Sequence, residues 1–298
     1  MGHPVYYSPD FVRATDHFDT TRKAGWLADS LSRSPIPGVT LTSPPPLDLK
    51  DALRFHSRDY LKALATGSPL ELASSSRIAW DPDTLARALS TCGGLLAAAE
   101  TALRTRVAGC LASGFHHARR DQGQGFCTLN GLAITANLIA ERSRAPVLIL
   151  DLDSHCGGGT HGLIAHNPLV WQIDLSADSY DSYPGSKRGV LQLVRDPKDY
   201  LRLLWQHLKH AEDEWPPFSL CIYNAGMDVH EKCQYGGLKG IDELIIALRE
   251  EMVFQWCGAR GIPIAYTLAG GYTGRTLSRT RLIHLHRMTI GSANTLSA

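Results

Sequence analysis

At 298 residues, with 44% hydrophobic and 20% charged side chains, the chain is long enough to bury a large core as one α/β domain. Its 30 basic and 29 acidic residues leave a formal net charge of +1, and no basic run stands out, so nucleic acid is not the expected partner. The seven cysteines are odd in number, scattered and without a C-x-x-C pair, which indicates reduced thiols rather than a disulfide framework.

Strands alternate with helices along the chain, in the order that favours a parallel sheet. A short strand at 4–8 precedes predicted helices at 23–32 and 57–66, and the proline-rich segment 34–49 between those helices is predicted to be a loop. The other predicted helices are 81–105, 127–142, 197–212, 238–258 and 274–288, and the other predicted strands are 107–114, 145–153, 169–176, 218–226 and 262–270. This order predicts an α/β fold of one domain, 1–298, with a mostly parallel central sheet and helices on both faces.

Three of the predicted strands run into unusually polar sequence at their carboxyl ends. These segments are DLDSHCGGGT at 151–160, NAGMDVH at 224–230 and LAGGYTGRT at 268–276. A fourth segment, GFHHARRDQGQGFCTLN at 114–130, follows another strand and contains two adjacent histidines. Because open parallel sheets bind ligands beyond the carboxyl ends of their strands, we expect the first three segments to meet in space.

Asp153 and His155 stand two positions apart in the first of these segments. In an extended chain such residues point to the same side, so both can reach one ion. Asp228, in the second segment, would complete three protein ligands and leave an open position for water, which is typical of a catalytic divalent metal, most simply zinc. The residues alone fit a turn capped by Asp153 beside a hydrogen-bonded loop histidine about equally well.

Two further groups of residues have the chemistry of an active site. His116 and His117 can line one cleft, and imidazoles titrate near neutrality, as a general base and its electrostatic companion require. Tyr272 follows two glycines, which let the backbone approach another group closely, and its hydroxyl can face a developing oxyanion. Taken singly, the same motifs also fit partly exposed loop histidines and an ordinary turn with a packed aromatic ring.

The ordered set GFHHA…GFC, DLDSHCGGGT, NAGMDVH…YGGL and LAGGY resembles the zinc-dependent histone deacetylase family, from about residue 107 to 280. Within that family the segments FHHARRDQGQGFC, DSYDSYPG and GGYTGRT are most similar to the class IV branch. The resemblance implies the arginase–deacetylase α/β fold. It also implies a hydrolase that removes acyl groups, acetyl or longer fatty acyl, from the lysine side chains of peptides or proteins.

The resemblance also implies a catalytic zinc ion, a structural potassium ion and a role for each matching position. The implied zinc ligands are Asp153, His155 and Asp228, and the implied catalytic residues are His116, His117, Tyr272 and Asp151. The implied potassium ligands are Asp151 and Asp174. The implied walls of an acyl-lysine tunnel are Gly125, Phe126 and Tyr183. In the implied mechanism His117 is the general base, and the Tyr272 hydroxyl stabilises the oxyanion.

The chain departs from the family pattern directly after its metal histidine. The family has H-x-G-[Asp/Asn]-G, whereas this chain has Gly158 at the acidic or amide position. That residue normally orients the second histidine, so His117 is expected to lack its usual partner unless another group substitutes for it. Cys156 is predicted to be buried and inert. Asp178 and Asp181 fit a solvated loop as well as contact with a cationic substrate.

The amino-terminal MGHPVYYSPD has no basic segment followed by an apolar one, and no apolar run approaches the ~18 residues of a membrane span. We therefore expect a cytoplasmic protein without a membrane span. Two other functions remain open: hydrolysis of a small acylated amine such as an acetylpolyamine, and metal binding with weak or no catalysis. Gly158 favours the second of these, and Tyr272 together with three candidate ligands argues against it.

Overall fold

The computed structural model describes residues 2–12 and 18–296. In these residues the chain forms an eight-stranded sheet with helices on both faces, which confirms the predicted α/β fold. The strands are β1 His3–Tyr6, β2 Val39–Thr42, β3 Val107–Cys110, β4 Val147–Asp151, β5 Val170–Ser176, β6 Gly189–Leu193, β7 Leu220–Gly226 and β8 Ile264–Ala269.

The sheet order is β2-β1-β3-β8-β7-β4-β5-β6, and every neighbouring pair is parallel. The four central strands β3, β8, β7 and β4 are buried at every position, which is why their sequences are largely apolar. Asp151, the last residue of β4, is in register with Asp174 on β5 and with Asn224 on β7. Because the strands are parallel and in this register, the polar residues near their carboxyl ends lie at the same edge of the sheet.

The helices fall into two groups that pack on opposite faces of the sheet. They are α1 Lys23–Arg33, α2 Leu49–Phe55, α3 Arg58–Thr66, α4 Leu70–Ala73, α5 Thr84–Thr105, α6 Gly131–Ser143, α7 Gly158–Ile164, α8 Tyr200–Glu214, α9 Glu243–Ala259 and α10 Arg279–Ala293. Contacts join α5 to α3 and α6, and α6 to α2 and α7, while α9 joins α8 to α10 and α10 contacts α1. Among the described residues, no helix is long and apolar enough to cross a membrane.

Several elements differ from the sequence-based prediction. The predicted loop 34–49 contains strand β2, and β6 was not predicted. Both are edge strands whose residues are mostly half-buried, so neither has the apolar run that marks a central strand. The helix predicted from 127 begins at Gly131, because the Asn130 side chain accepts a hydrogen bond from the Ala133 amide and caps it. The helix α7 at the glycine run was also missed.

A buried arginine ties together two strand ends near the polar edge. Nη1 of Arg249 donates hydrogen bonds to the carbonyl oxygens of Gly226, at 2.7 Å, and Leu152, at 3.4 Å. Its Nη2 pairs with Oε1 of Glu250 at 2.6 Å, and neither side chain is exposed. Because Gly226 ends β7 and Leu152 directly follows β4, the guanidinium holds the two chain segments that carry the candidate metal ligands.

Replacement of Arg249 by methionine is expected to lower the free energy of unfolding by about 3–5 kcal/mol, because it leaves the buried Glu250 carboxylate without its cation. Urea denaturation would measure the change. Arg202→Met is the matched control, since Arg202 pairs with Asp199 at the surface and both side chains are about half exposed. Its loss is expected to stay below about 1 kcal/mol. Equal effects of the two substitutions would contradict a bracing role for Arg249.

Candidate active site

The three predicted metal ligands lie together at the carboxyl ends of adjacent strands. Asp153 and His155 follow β4, and Asp228 follows β7, which pairs with β4. One ligand atom from each lies within 4.8 Å of the others. The backbone amide of Ser154 donates to Oδ1 of Asp228 at 2.9 Å, and the amide of His155 donates to Oδ1 of Asp153 at 3.0 Å. These bonds fix the orientation of the two carboxylates relative to His155.

The electrostatics of this cluster favour a bound cation. Nδ1 of His155 lies 3.1 Å from Oδ1 of Asp153 and 3.1 Å from Oδ2 of Asp228. Burial lowers the pKa of His155, but the hydrogen bonds and charges of the two carboxylates outweigh it and raise that pKa to about 11. Burial and the charge of Asp153 raise the pKa of Asp228 to about 6. A divalent metal ion would take the place of the proton on His155, since two buried carboxylates and one imidazole nitrogen are a donor set that fits zinc.

His116 and His117 lie side by side next to the cluster, with ring centroids 4.0 Å apart. Nδ1 of His116 is 2.8 Å from Oδ2 of Asp151. Burial lowers the pKa of His116, but the charges of Asp151 and Asp153 raise it to about 10. Burial and the positive charge of His116 lower the pKa of His117 to about 4. At neutral pH the first ring is therefore a cation, and the second is neutral and able to accept a proton.

His117 has a carboxylate partner, so another group substitutes for the side chain that Gly158 lacks. Nδ1 of His117 is 2.9 Å from Oδ2 of Asp181, whose side chain is fully buried. Asp181 is therefore neither a solvated loop residue nor a contact for a cationic substrate at the rim. Asp178 in the same loop is exposed, and its Oδ1 accepts a hydrogen bond from the Tyr180 amide at 2.7 Å. In the sequence, Asp181 was recognisable only as one of two acidic residues in this loop, the other being Asp178.

Tyr272 lines the same small cavity as both histidines and Asp153, a cavity of about 20 Å³. Two glycines with positive φ, Gly270 at 52° and Gly271 at 83°, bring the chain from β8 to this position. A Cβ at Gly270 would lie only 2.7 Å from Oδ2 of Asp228, so the close approach requires glycine. Burial and the charges of Asp228 and Asp153 raise the pKa of Tyr272 well above its ordinary value, so its hydroxyl remains a hydrogen-bond donor.

The structure does not bring the three predicted tunnel residues together. Gly125 and Phe126, both with positive φ, lie beside the site, and a Cβ at Gly125 would be 3.0 Å from Cγ of His117. Tyr183 instead stacks on His161, with ring centroids 4.2 Å apart, and its hydroxyl donates to Oδ2 of Asp174 at 3.1 Å. It therefore does not face Phe126.

Two other aromatic rings, those of Phe18 and Tyr180, lie around the site, and neither was predicted from the sequence. Phe18 stacks on Phe126 with ring centroids 3.7 Å apart and lies 5.3 Å from the ring of Tyr272. Tyr180 meets the ring of His117 edge-on at 5.0 Å. Tyr180 precedes Tyr183 by three positions, so the aromatic pattern of this loop did not by itself identify which ring reaches the site.

The candidate potassium ligands Asp151 and Asp174 are both fully buried. Oδ1 of Asp151 accepts from Nδ2 of Asn224 at 2.7 Å, and Oδ2 of Asp174 accepts from the Gly157 amide at 2.7 Å. Burial and the charge of Asp151 raise the pKa of Asp174 to about 8. Two buried carboxylates at neighbouring strand ends can hold a monovalent cation or share a proton.

Cys156 is buried next to the candidate ligand His155, as expected. Its Sγ donates to the carbonyl oxygen of Asp178 at 3.3 Å. Burial and the charge of Asp174 raise its pKa to about 12. A thiol that stays protonated is a poor nucleophile and a poor target for oxidation, so Cys156 acts as a packing residue.

Comparison with known proteins gives a consistent set of similarities. The histone deacetylase domain family matches residues 17–288. A protein of Picosynechococcus sp., described as uncharacterized, is 32% identical over 91% of this chain and 93% of its own length. Histone deacetylase 2 of Arabidopsis thaliana is 29% identical over 74% of this chain and 60% of its own length. Among solved structures, acetylpolyamine aminohydrolase from Burkholderia pseudomallei has a TM-score of 0.79 at 18% identity, covering 99% of both chains.

Proposed function

The chain belongs to the histone deacetylase family, and from this premise we propose that it is a zinc-dependent hydrolase that removes acyl groups from the lysine side chains of proteins. One observation carries the proposal: two carboxylates and an imidazole converge beside a neutral histidine and a tyrosine hydroxyl. The donor set is Asp153, His155 and Asp228. When bound there, zinc supplies a Lewis acid that polarises the substrate carbonyl and lowers the pKa of a water molecule.

The side chains around the metal position divide the proton chemistry between them. His117, neutral at pH 7, accepts the proton of the attacking water and returns a proton to the leaving lysine amine. His116, held by Asp151 as a cation, stays charged and stabilises negative charge that develops nearby. Tyr272 donates its hydroxyl hydrogen bond to the oxyanion of the tetrahedral intermediate.

The proposal also covers a second cation, the branch of the family and the cellular compartment. Asp151 and Asp174 are proposed to hold a structural potassium ion, which would offset the repulsion between their buried charges. We place the chain nearest the class IV branch, on the motifs around the histidine pair and Tyr272, and treat 1–298 as one catalytic domain. All seven cysteines are free and buried, which supports a reducing compartment such as the cytoplasm.

A small acylated amine is the second candidate substrate. Its support is the shared fold with acetylpolyamine aminohydrolase from Burkholderia pseudomallei, which is a likeness of architecture at low sequence identity. The aromatic rings Phe18, Phe126 and Tyr180 around the site would enclose the alkyl chain of either a lysine or a polyamine. The two candidates therefore have to be separated by the substrates themselves.

A substrate panel tests the proposal directly. Peptides that carry one acyl-lysine, from acetyl to long fatty acyl, and one acetylated polyamine would be assayed with and without a zinc chelator. We expect hydrolysis of an acyl-lysine peptide at a higher kcat/KM than the polyamine, and loss of this activity with the chelator. A higher kcat/KM for the polyamine would favour the second candidate. No hydrolysis of any substrate by zinc-loaded protein would indicate a metal-binding protein without catalysis.

A further inference from the structure

The partner of His117 comes from a different part of the chain than the family pattern predicts. Asp181 lies in the loop that follows β5, and its carboxylate is enclosed by donors. Oδ2 is 2.9 Å from Nδ1 of His117 and accepts a hydrogen bond from the Gly159 amide at 3.2 Å. Oδ1 forms an ion pair with the guanidinium of Arg119. Because the side chain has no solvent-exposed surface, all of its hydrogen bonding is with these protein groups.

Gly158 leaves the space that this carboxylate occupies. Gly158 is the first residue of α7, and a Cβ built on it would lie 2.4 Å from the backbone carbonyl oxygen, 2.7 Å from Oδ1 and 2.9 Å from Cγ of Asp181. Such distances are too short for any side chain at position 158. The absence of a side chain at position 158 and the presence of Asp181 are therefore linked. The Asp181 carboxylate fits next to His117 only because residue 158 is glycine.

We propose that Asp181 is the positioning residue of His117 and replaces, from a separate loop, the acidic or amide side chain that the family carries at the position of Gly158. The Asp181 carboxylate accepts the Nδ1 hydrogen of His117, so the neutral ring carries its proton on Nδ1. Nε2 then keeps the free electron pair that a general base requires. This inference rests on the proposed function, in which His117 is that base.

Arg119 completes the arrangement on the side away from His117. Its Nε donates to Oε1 of Gln124 at 2.9 Å, which ties the guanidinium to the segment that carries the histidine pair. The positive charge of Arg119 pairs with the Asp181 carboxylate and partly offsets its negative charge at His117. His117 is thus oriented by a carboxylate whose second oxygen is paired with a guanidinium.

Kinetics of two substitutions at Asp181 test the proposal. In Asp181→Ala, which has no acceptor for Nδ1, kcat on the best acyl-lysine peptide is expected to fall ~10–100-fold with little change in KM. In Asp181→Asn the amide oxygen can still accept the Nδ1 hydrogen, so most of the lost kcat should return. Zinc content and melting temperature, measured on each variant, separate an effect on catalysis from loss of the metal or the fold.

If Asp181 had only a structural role, the kcat values of the variants would follow a different pattern. If Asp181 only holds its loop through Arg119, Asp181→Asn should be as damaging as Asp181→Ala, and Arg119→Gln should match both, since each removes the ion pair. If Asp181 positions His117, Arg119→Gln should cost much less than Asp181→Ala. Asp178→Asn is the charge control in the same loop, because it removes one exposed carboxylate and keeps an acceptor for the Tyr180 amide. It should retain wild-type kcat.

A substitution at Gly158 tests the steric part of the proposal. Gly158→Asn is expected to lose activity and to lower the melting temperature, because its side chain must displace Asp181. Gly162→Asn is the matched control, since Gly162 lies in the same helix with no atom within 4 Å of a built Cβ. Equal melting temperatures and rates for the two variants would show that position 158 has room for a side chain. That result would overturn the claim that Asp181 occupies the space of a side chain at position 158.

The proposal can fail separately from the proposed function. Wild-type kcat in Asp181→Ala would overturn the positioning role while leaving the hydrolase intact. If the wild type hydrolyses no substrate, nitrogen NMR of histidine-labelled protein decides the matter, with the His117 signals assigned by their loss in His117→Ala. A neutral ring protonated on Nδ1 in the wild type, and not in Asp181→Ala, would support the proposal. The same tautomer in both would overturn it.

Discussion

Replacement of Asp228 by alanine is expected to abolish both zinc content and hydrolysis. The substitution removes one of two carboxylates from a three-residue donor set, and the remaining Asp153 and His155 cannot complete a stable site at ordinary zinc concentrations. Zinc would be measured by elemental analysis of the purified protein, and hydrolysis on the best acyl-lysine peptide. Full zinc occupancy in Asp228→Ala would contradict the ligand assignment.

Two further variants separate loss of the metal from loss of the fold. Asp228→Asn keeps the size of the side chain and an oxygen for the Ser154 amide, but loses the negative charge. It should keep the melting temperature of metal-free wild-type protein while binding zinc much more weakly. Asp199→Ala removes a surface carboxylate that is about half exposed and should change neither zinc content nor rate.

Replacement of Tyr272 by phenylalanine is expected to lower kcat by ~10²–10³-fold, the usual cost of removing one donor to an oxyanion. The ring and its packing against Phe18 remain, so zinc content and melting temperature should match the wild type. An unchanged kcat would remove Tyr272 from the mechanism. A loss of zinc together with activity would instead indicate that the hydroxyl supports the metal site.

A neighbouring tyrosine provides the control for this substitution. Tyr235 meets the ring of Tyr272 edge-on at 5.7 Å and is 55% exposed. Tyr235→Phe removes the same hydroxyl group from the surface next to the site and should leave kcat close to wild type. An equal loss in both variants would point to a general disturbance of the aromatic cluster, and not to loss of an oxyanion donor.

The central part of the fold could be predicted because burial on both faces leaves a simple pattern. Strands β4, β7 and β8 are largely apolar, and the repeated alternation with helices predicts that they run parallel. The edge strands β2 and β6 could not be predicted, since each has a neighbour on one side only and half-buried residues. Their pairing depends on the tertiary contact and leaves little trace in local hydrophobicity.

The candidate metal site could also be located in the sequence, for a reason of topology. Asp153, His155 and Asp228 directly follow strands, and parallel strands place their carboxyl ends at one edge. Once the strands are identified, strand direction places these residues at the same edge of the sheet, and the pairing of β4 with β7 brings them together. The same reasoning places Tyr272 after β8, which pairs with β7.

The partner of His117 and the aromatic wall of the site were decided only by the tertiary structure. Asp181 and Tyr180 reach the site, whereas Tyr183 turns away toward His161 and Asp174. All three belong to one irregular loop, in which side-chain direction follows neither a helical nor a strand period. The sequence by itself determined the parallel direction of the central strands and the polar residues at their carboxyl ends, because hydrophobic periodicity and the alternation with helices encode them. The path of that loop depends on packing against Gly158 and Arg119, contacts between residues distant in sequence that no local pattern records.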